Sequence, residues 1–191
     1  MSLSKFTGPG GETYGGFRWP LPHDGQPGDW ADLHPGAEEP LTGADLCSGA
    51  VLHLTDAGHL VYWIGAELWE AEADESRGVV SGRDKVGVRR ARLVRRVDAW
   101  DERTARLFAC DCAEDALRHA DPSVRDVLAA AIATARRYAD GLATREELDA
   151  ALAAARAAAS AAASAAAWDA AWAAAWERHN ARLLEMLGLE P

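Results

Sequence analysis

Four residues carry side chains that could work on a substrate together: Arg18, His53, Glu70 and Glu72. Glu70 and Glu72 stand two apart in an alternating run from Glu67 to Ala73, so a strand would set both carboxylates on one face, where they could share a cleft. Cys47, His53 and His59 read as Cys-x5-His-x5-His, a spacing that lacks a fourth ligand and fits no closed zinc site, so no metal is expected. Cys110 and Cys112, two apart on a helix, would point about 200° from each other and so neither chelate one ion nor bond together. They read as small core residues. The Gly-rich start, Gly8 to Gly16, precedes only a weak strand and lacks the strand and helix context of a phosphate loop.

Two further groups are candidates for binding rather than catalysis. Lys85, Arg89, Arg90, Arg92, Arg95 and Arg96 crowd one strand-like stretch of a chain whose formal net charge is -10. Arg89, Arg90 and Arg92 could dock an acidic protein or phosphate groups. Alternatively, the arginines protect a sheet edge and pair with Glu67, Glu70 and Glu72 of a neighbouring strand, as charge runs commonly do. Trp168, Trp172 and Trp176 stand one helical turn apart and, with Leu183, Leu184 and Leu187, make an apolar stripe. Each tryptophan buries about 200 Å², so the three either pack on the rest of the chain or meet a partner. The four-residue Ala-rich pattern around them is also a low-complexity sequence.

The elements that must position these groups change character along the chain. Residues 1–45 are rich in Gly, Pro and acids and read as loops around one short strand near Phe17 to Trp19. Strands follow at Ala50 to Thr55, Glu67 to Ala73, Gly78 to Val80 and Lys85 to Val97, with Asp56 capping a short helical turn through Leu60 to Ile64. Beyond Val97 the period becomes helical. Asp98 or Asp101 caps a helix to about His119 with Leu107, Phe108, Cys112 and Leu117 on its buried face. Asp121-Pro122 opens the next helix and Gly141 closes it; its stripe is Val124, Val127, Leu128, Ala131, Ile132 and Ala135. Thr144 and Glu147 form a capping box for an alanine helix that runs to Gly188, about 64 Å at 1.5 Å per residue. Its first part should pack on the helical hairpin through Leu148, Leu152 and Ala155.

The composition bounds the partners. At 49% hydrophobic and 26% charged, the chain can bury a real core in one or two soluble domains. Its acidity argues against nucleic acid as a general ligand, and the interrupted alanine tract does not read as a membrane span. Met1 to Gly16 has no apolar signal-like run and three cysteines make no even disulfide framework, so a cytoplasmic location is expected.

Three resemblances add to this. Arg18, the Leu52-His53-Leu54-Thr55 strand followed by a short helix, and Glu70-Ala71-Glu72 loosely resemble the ordered motifs of ADP-ribosyltransferases, with a shorter gap between the second and third. That resemblance implies NAD held by the first two motifs and a glutamate that aids transfer at the ribose. Arg106 to Glu114 (RLFACDCAE), Ala135 to Gly141 (ARRYADG) and Glu146-Glu147-Leu148, with the Ala/Trp tail, resemble a bacterial immunity-protein family of polymorphic-toxin systems over nearly half the chain. Gly15-Gly16-Phe17-Arg18-Trp19 and Leu46-Cys47-Ser48-Gly49 resemble a small uncharacterised domain of mobile-element proteins. The second resemblance implies a non-enzymatic protein, without cofactor, that binds and neutralises a cognate toxin.

The expected protein is therefore α+β, with a small, mainly antiparallel β domain over 1–97. A helical region over 98–191 follows, made of a hairpin and a long Ala/Trp helix over 145–187. The expected role is protein binding in bacterial conflict through Trp168, Trp172, Trp176, Arg89, Arg90 and Arg92. The alternatives are a small NAD-using transferase built on Arg18, His53, Glu70 and Glu72, or a scaffold that oligomerises through the long helix.

Overall fold

A strand of five residues, Leu3-Ser4-Lys5-Phe6-Thr7, lies at the centre of the sheet. The computed structural model in which it is seen describes residues 2–37, 39–162 and 168–190, with the side chains of 159–162 and 168–174 outside that description. The protein is α+β. Among the described residues, seven strands form one antiparallel sheet: β1 Leu3–Thr7, β2 Ala31–Asp32, β3 Leu52–Asp56, β4 Glu67–Ala73, β5 Val79–Ser81, β6 Val86–Val88 and β7 Arg90–Arg96. Their order across the sheet is β2-β7-β4-β1-β3-β6-β5.

Residues 1–45 read as loops with a strand near Phe17 to Trp19, and there the structure differs. That strand is reduced to a bridge between Glu12 and Arg18, while β1 and β2 come from stretches that look irregular. β1 is buried on both faces, so its sequence shows no in-out alternation. Its Lys5 pairs with Trp69 on β4, lies over the Trp19 ring, and donates from Nζ to the His53 carbonyl oxygen at 2.8 Å. Burial pulls the Lys5 ammonium down to about 8, because the charged form loses water.

The single strand expected over Lys85 to Val97 is two. β6 pairs with β3 and β5, β7 pairs with β4 and β2, and only Arg89 separates them. Two strands joined by one residue yet far apart in the sheet order require the sheet to curl until its flanks meet at Arg89. Leu3, Trp19, Leu52, Leu54, Trp69, Val88 and Leu93 fill its core. In β3 Leu52 and Leu54 are both buried, and so is Thr55 between Leu54 and the strand end, so burial here does not alternate.

The helices follow their local signals. α1, Glu102–Leu117, begins at Asp101, whose carboxylate accepts from the Thr104 N–H at 2.6 Å. α2, Pro122–Ala139, begins at Asp121, which accepts from the Ser123 N–H at 2.8 Å, and Gly141 follows it at φ 72°. α3, Arg145–Ala162, opens on the expected capping box: Thr144 N–H donates to Glu147 at 2.7 Å and Glu147 N–H to the Thr144 hydroxyl at 3.2 Å. α4 is Trp168–Leu187, with Gly188 after it at φ 65°. Continuity of one helix over 145–187 depends on residues 163–167, which lie outside the described residues. α2 packs against both α1 and α3, and Leu148 of α3 is buried. Val127, expected in the α2 stripe, is instead exposed.

The chain divides into a β unit, Met1–Trp100 with Leu183–Pro191, and a helical unit, Asp101–Arg182. The last turn of α4 thus belongs with the first unit, where Leu183, Leu184 and Leu187 are buried. No helix among the described residues is long and apolar enough to cross a membrane.

Candidate functional site

The arginines of β7 face the carboxylates of β4. Arg92 pairs with Glu72 at 2.6 Å, Arg95 with Glu70, and Arg90 with Asp74, just beyond β4, at 2.8 Å. A bulge makes this possible. Ala71 sits opposite Leu93, but Glu70 sits opposite Arg95, so Val94 is the extra residue. Without it Val94 would stand opposite Glu70 and the ladder would end at Arg92. The Trp30 indole lies over both Arg90 and Arg92, each guanidinium carbon 4.6 Å from the ring centre. Arg89 is buried and donates to the Glu39 carbonyl oxygen at 2.5 Å.

This placement bears directly on the residues singled out from the sequence. Arg89, Arg90 and Arg92 are engaged within the β unit, by a backbone carbonyl, two carboxylates and an aromatic face, rather than standing free for docking. The pairing with Glu70 and Glu72 is the alternative that the strand spacing allowed. Arg18 meets Glu12 at 3.5 Å on an exposed loop. His53 contacts the Leu46 carbonyl oxygen through Nε2 at 2.6 Å, and burial, with Lys85 and Lys5 near it, lowers its pKa. So Arg18, His53, Glu70 and Glu72 each answer to a separate local partner. The three residues weighed as metal ligands do likewise. Lys85 donates to Cys47 Sγ at 3.7 Å, and His59 Nδ1 sits 2.7 Å from Asp56. No group of three metal-ligating side chains occurs among the described residues.

The helical unit carries a second ionic cluster. Arg136 of α2 bridges Asp111 at 2.7 Å and Glu114 at 2.5 Å on α1. Arg182 of α4 reaches the same Asp111 at 2.6 Å. Asp115 receives Arg178 at 2.7 Å, Arg118 at 2.9 Å and, at 3.3 Å, the ring nitrogen of His179, which stands edge-on to Phe108. Burial alone would raise the Asp111 pKa, but the hydrogen bonds from Arg182 and Arg136 hold it below the ordinary range. Arg178 does most to hold Asp115 down. Asp111, Glu114, Asp115 and Arg182 line an open cleft of about 470 Å³.

The three segments that carry the immunity-family resemblance meet in this unit. Arg106 stacks on Tyr138 at 4.8 Å, Arg103 pairs with Asp140 at 2.6 Å, and Arg137 approaches Glu147 at 4.0 Å. Cys110 is buried with its sulfur 3.9 Å from the Ile132 carbonyl oxygen. Burial raises its pKa, and burial with Asp111 and Asp115 nearby pushes Cys112, which is only half-buried, up to about 11. Motifs apart in the sequence thus touch one another within the helical unit. Compared with known proteins, the chain matches no family model, no curated protein and no solved structure.

Of the tail tryptophans, Trp176 is half-buried, while the side chains of Trp168 and Trp172 lie outside the described residues. Sequence reading passed over Lys5, Trp30 and the bulge at Val94. Only the strand register, which is a property of two strands together, would have revealed the last.

Proposed function

We propose that the protein is a binding protein of the immunity type, which acts in the bacterial cytoplasm by capturing another protein, a toxin, without chemistry of its own. The observation that carries this is a set of separate contacts, Arg106 on Tyr138, Arg103 with Asp140, Arg136 with Asp111 and Glu114, and Arg137 with Glu147, that hold α1 to α2 and α2 to the start of α3. Residues that resemble the immunity family serve to build a rigid helical support. Such a support presents a binding surface at little entropic cost. The surface assigned to capture is the tryptophan-bearing face of α4, whose large aromatic side chains suit an interface core.

The transferase reading draws less support. Glu70 and Glu72 are ion-paired with Arg95 and Arg92, the condition of carboxylates that hold two strands together. A test pairs the purified protein with its captured partner. Changing Trp168, Trp172 and Trp176 together to Ala should abolish capture and leave helical content largely unchanged. Partner retention by that variant, or NAD turnover lost in Glu70→Gln, would overturn the reading. Light scattering on the same samples separates partner capture from self-association through the helix.

A further inference from the structure

Arg96 is the exception on β7. Arg90, Arg92 and Arg95 each donate to a carboxylate, whereas Arg96 stops 3.9 Å from Glu67 and, among the described residues, donates no hydrogen bond. The Glu67 oxygen nearest Arg96 is Oε1; its Oε2 accepts from Gly11 N–H at 3.2 Å and lies 3.5 Å from the Thr7 hydroxyl, contacts that anchor the carboxylate at that distance from Arg96. The bulge at Val94 is what turns Arg96 to the side of Trp69, its partner across the strands.

Beside Arg96 runs a cleft of about 330 Å³ between β7 and the loop at 22–26. Its outer wall is a tight hairpin. His23 and Gln26 exchange both backbone hydrogen bonds, at 3.1 and 2.8 Å, and Asp24 and Gly25 between them take φ 50° and 72°, a type I′ turn. The loop is pinched at its base: a Cβ on Gly28 would lie 2.3 Å from the Pro20 carbonyl oxygen, and Gly28 N–H donates to Leu93 at 2.9 Å. The inner wall is Trp69, fixed by its indole N–H on the Thr7 hydroxyl at 3.0 Å. Pro22 and Val94 complete an apolar lining. A planar five-donor cation with no hydrogen bond, set in a preformed cleft, suits a planar or tetrahedral oxyanion held by two parallel N–H bonds.

We infer that this cleft is a binding site for a small oxyanion, a carboxylate or a phosphate group, held by Arg96. His23 and Gln26 supply further polar contacts at the wall. Asp24, on the same turn, opposes the anion and limits its affinity. This gives the site two residues with opposite effects. Because Arg96 makes no hydrogen bond, its replacement leaves the fold intact, and Asn tolerates the left-handed backbone of Asp24 as well as Asp does.

Calorimetric titration of the full chain with inorganic phosphate and, separately, with acetate tests this, with the Trp69 indole N–H resonance as a local reporter. Saturable binding should weaken about tenfold or more in Arg96→Gln, partly in Arg96→Lys, and tighten about threefold in Asp24→Asn. Whichever anion binds more tightly identifies the ligand chemistry. An isotherm that does not saturate, affinity in Arg96→Gln within about twofold of the parent, or weaker binding in Asp24→Asn would each overturn the assignment.

Discussion

The β unit and the helical unit both use arginine–carboxylate pairs, but they connect them differently. On the sheet, each carboxylate of Glu70, Glu72 and Asp74 has one arginine, and each pair joins a strand to its neighbour. On the helices, Asp111 is shared by arginines from α2 and α4, and Asp115 by Arg178 and Arg118. A ladder of separate pairs is redundant, because losing one rung leaves the backbone hydrogen bonds and the other rungs in place. A shared node is less so, because its loss removes one partner from two cations at once.

The largest effect should come from upsetting the device that aligns the ladder. Inserting one alanine after Val94 shifts everything after it by one residue, taking Arg95 away from Glu70 and turning Arg96 to the other face. The β unit should lose about 3 kcal/mol in urea unfolding, near the upper end for a single change. A loss under 1 kcal/mol would mean that the bulge is not what sets the register.

Lys5 should give nearly as large a response, read through pH. Its folded value, about 8, lies below its unfolded value of 10.5, so the unfolded chain binds more protons between them. Stability of the β unit should therefore rise from pH 8 to 10.5, by about 3 kcal/mol at most, and be lost again as pH falls through 8. Lys5→Met should flatten this dependence in a thermal-melt series. An unchanged slope in that variant would show that the ammonium is not buried as described.

The helical unit should respond with the same sign but in the acid range. Asp111 and Asp115 have lowered values, so their stabilisation is full above the ordinary aspartate range and disappears as pH falls through their folded values. Asp111→Ala should cost about 2 kcal/mol at neutral pH and reduce this acid sensitivity, followed by far-ultraviolet dichroism. The smallest effect belongs to the ladder: Arg92→Ala, with a partner about half exposed, should cost only about 0.5 kcal/mol. Equal costs for Asp111→Ala and Arg92→Ala would erase the distinction between node and rung.

Legibility from sequence divides along similar lines. Asp101, Asp121 and the Thr144–Glu147 box mark helix starts because a cap is made by residues within one turn of each other. The pairing of the arginine run with Glu70 and Glu72 was also within reach, since two charged strands suggest each other. β1 was not, because a five-residue strand covered on both sides has no alternation, and its Lys5 reads as a surface residue until Trp19 and the His53 carbonyl are brought to it. The division of Lys85 to Val97 at Arg89, and the bulge at Val94, depend on which strands lie alongside. Neighbouring strands are chosen by the whole fold, so local composition carries no trace of them.

The most direct measurement compares partner capture by the parent chain, the Trp168, Trp172 and Trp176 triple alanine variant, and an Arg90→Ala, Arg92→Ala variant, with helical content monitored throughout. Capture through the tail requires that the triple variant lose its partner while keeping its helices, and that the arginine variant retain it. Capture that survives the triple variant but fails without Arg90 and Arg92 would contradict this and move the binding surface to the sheet.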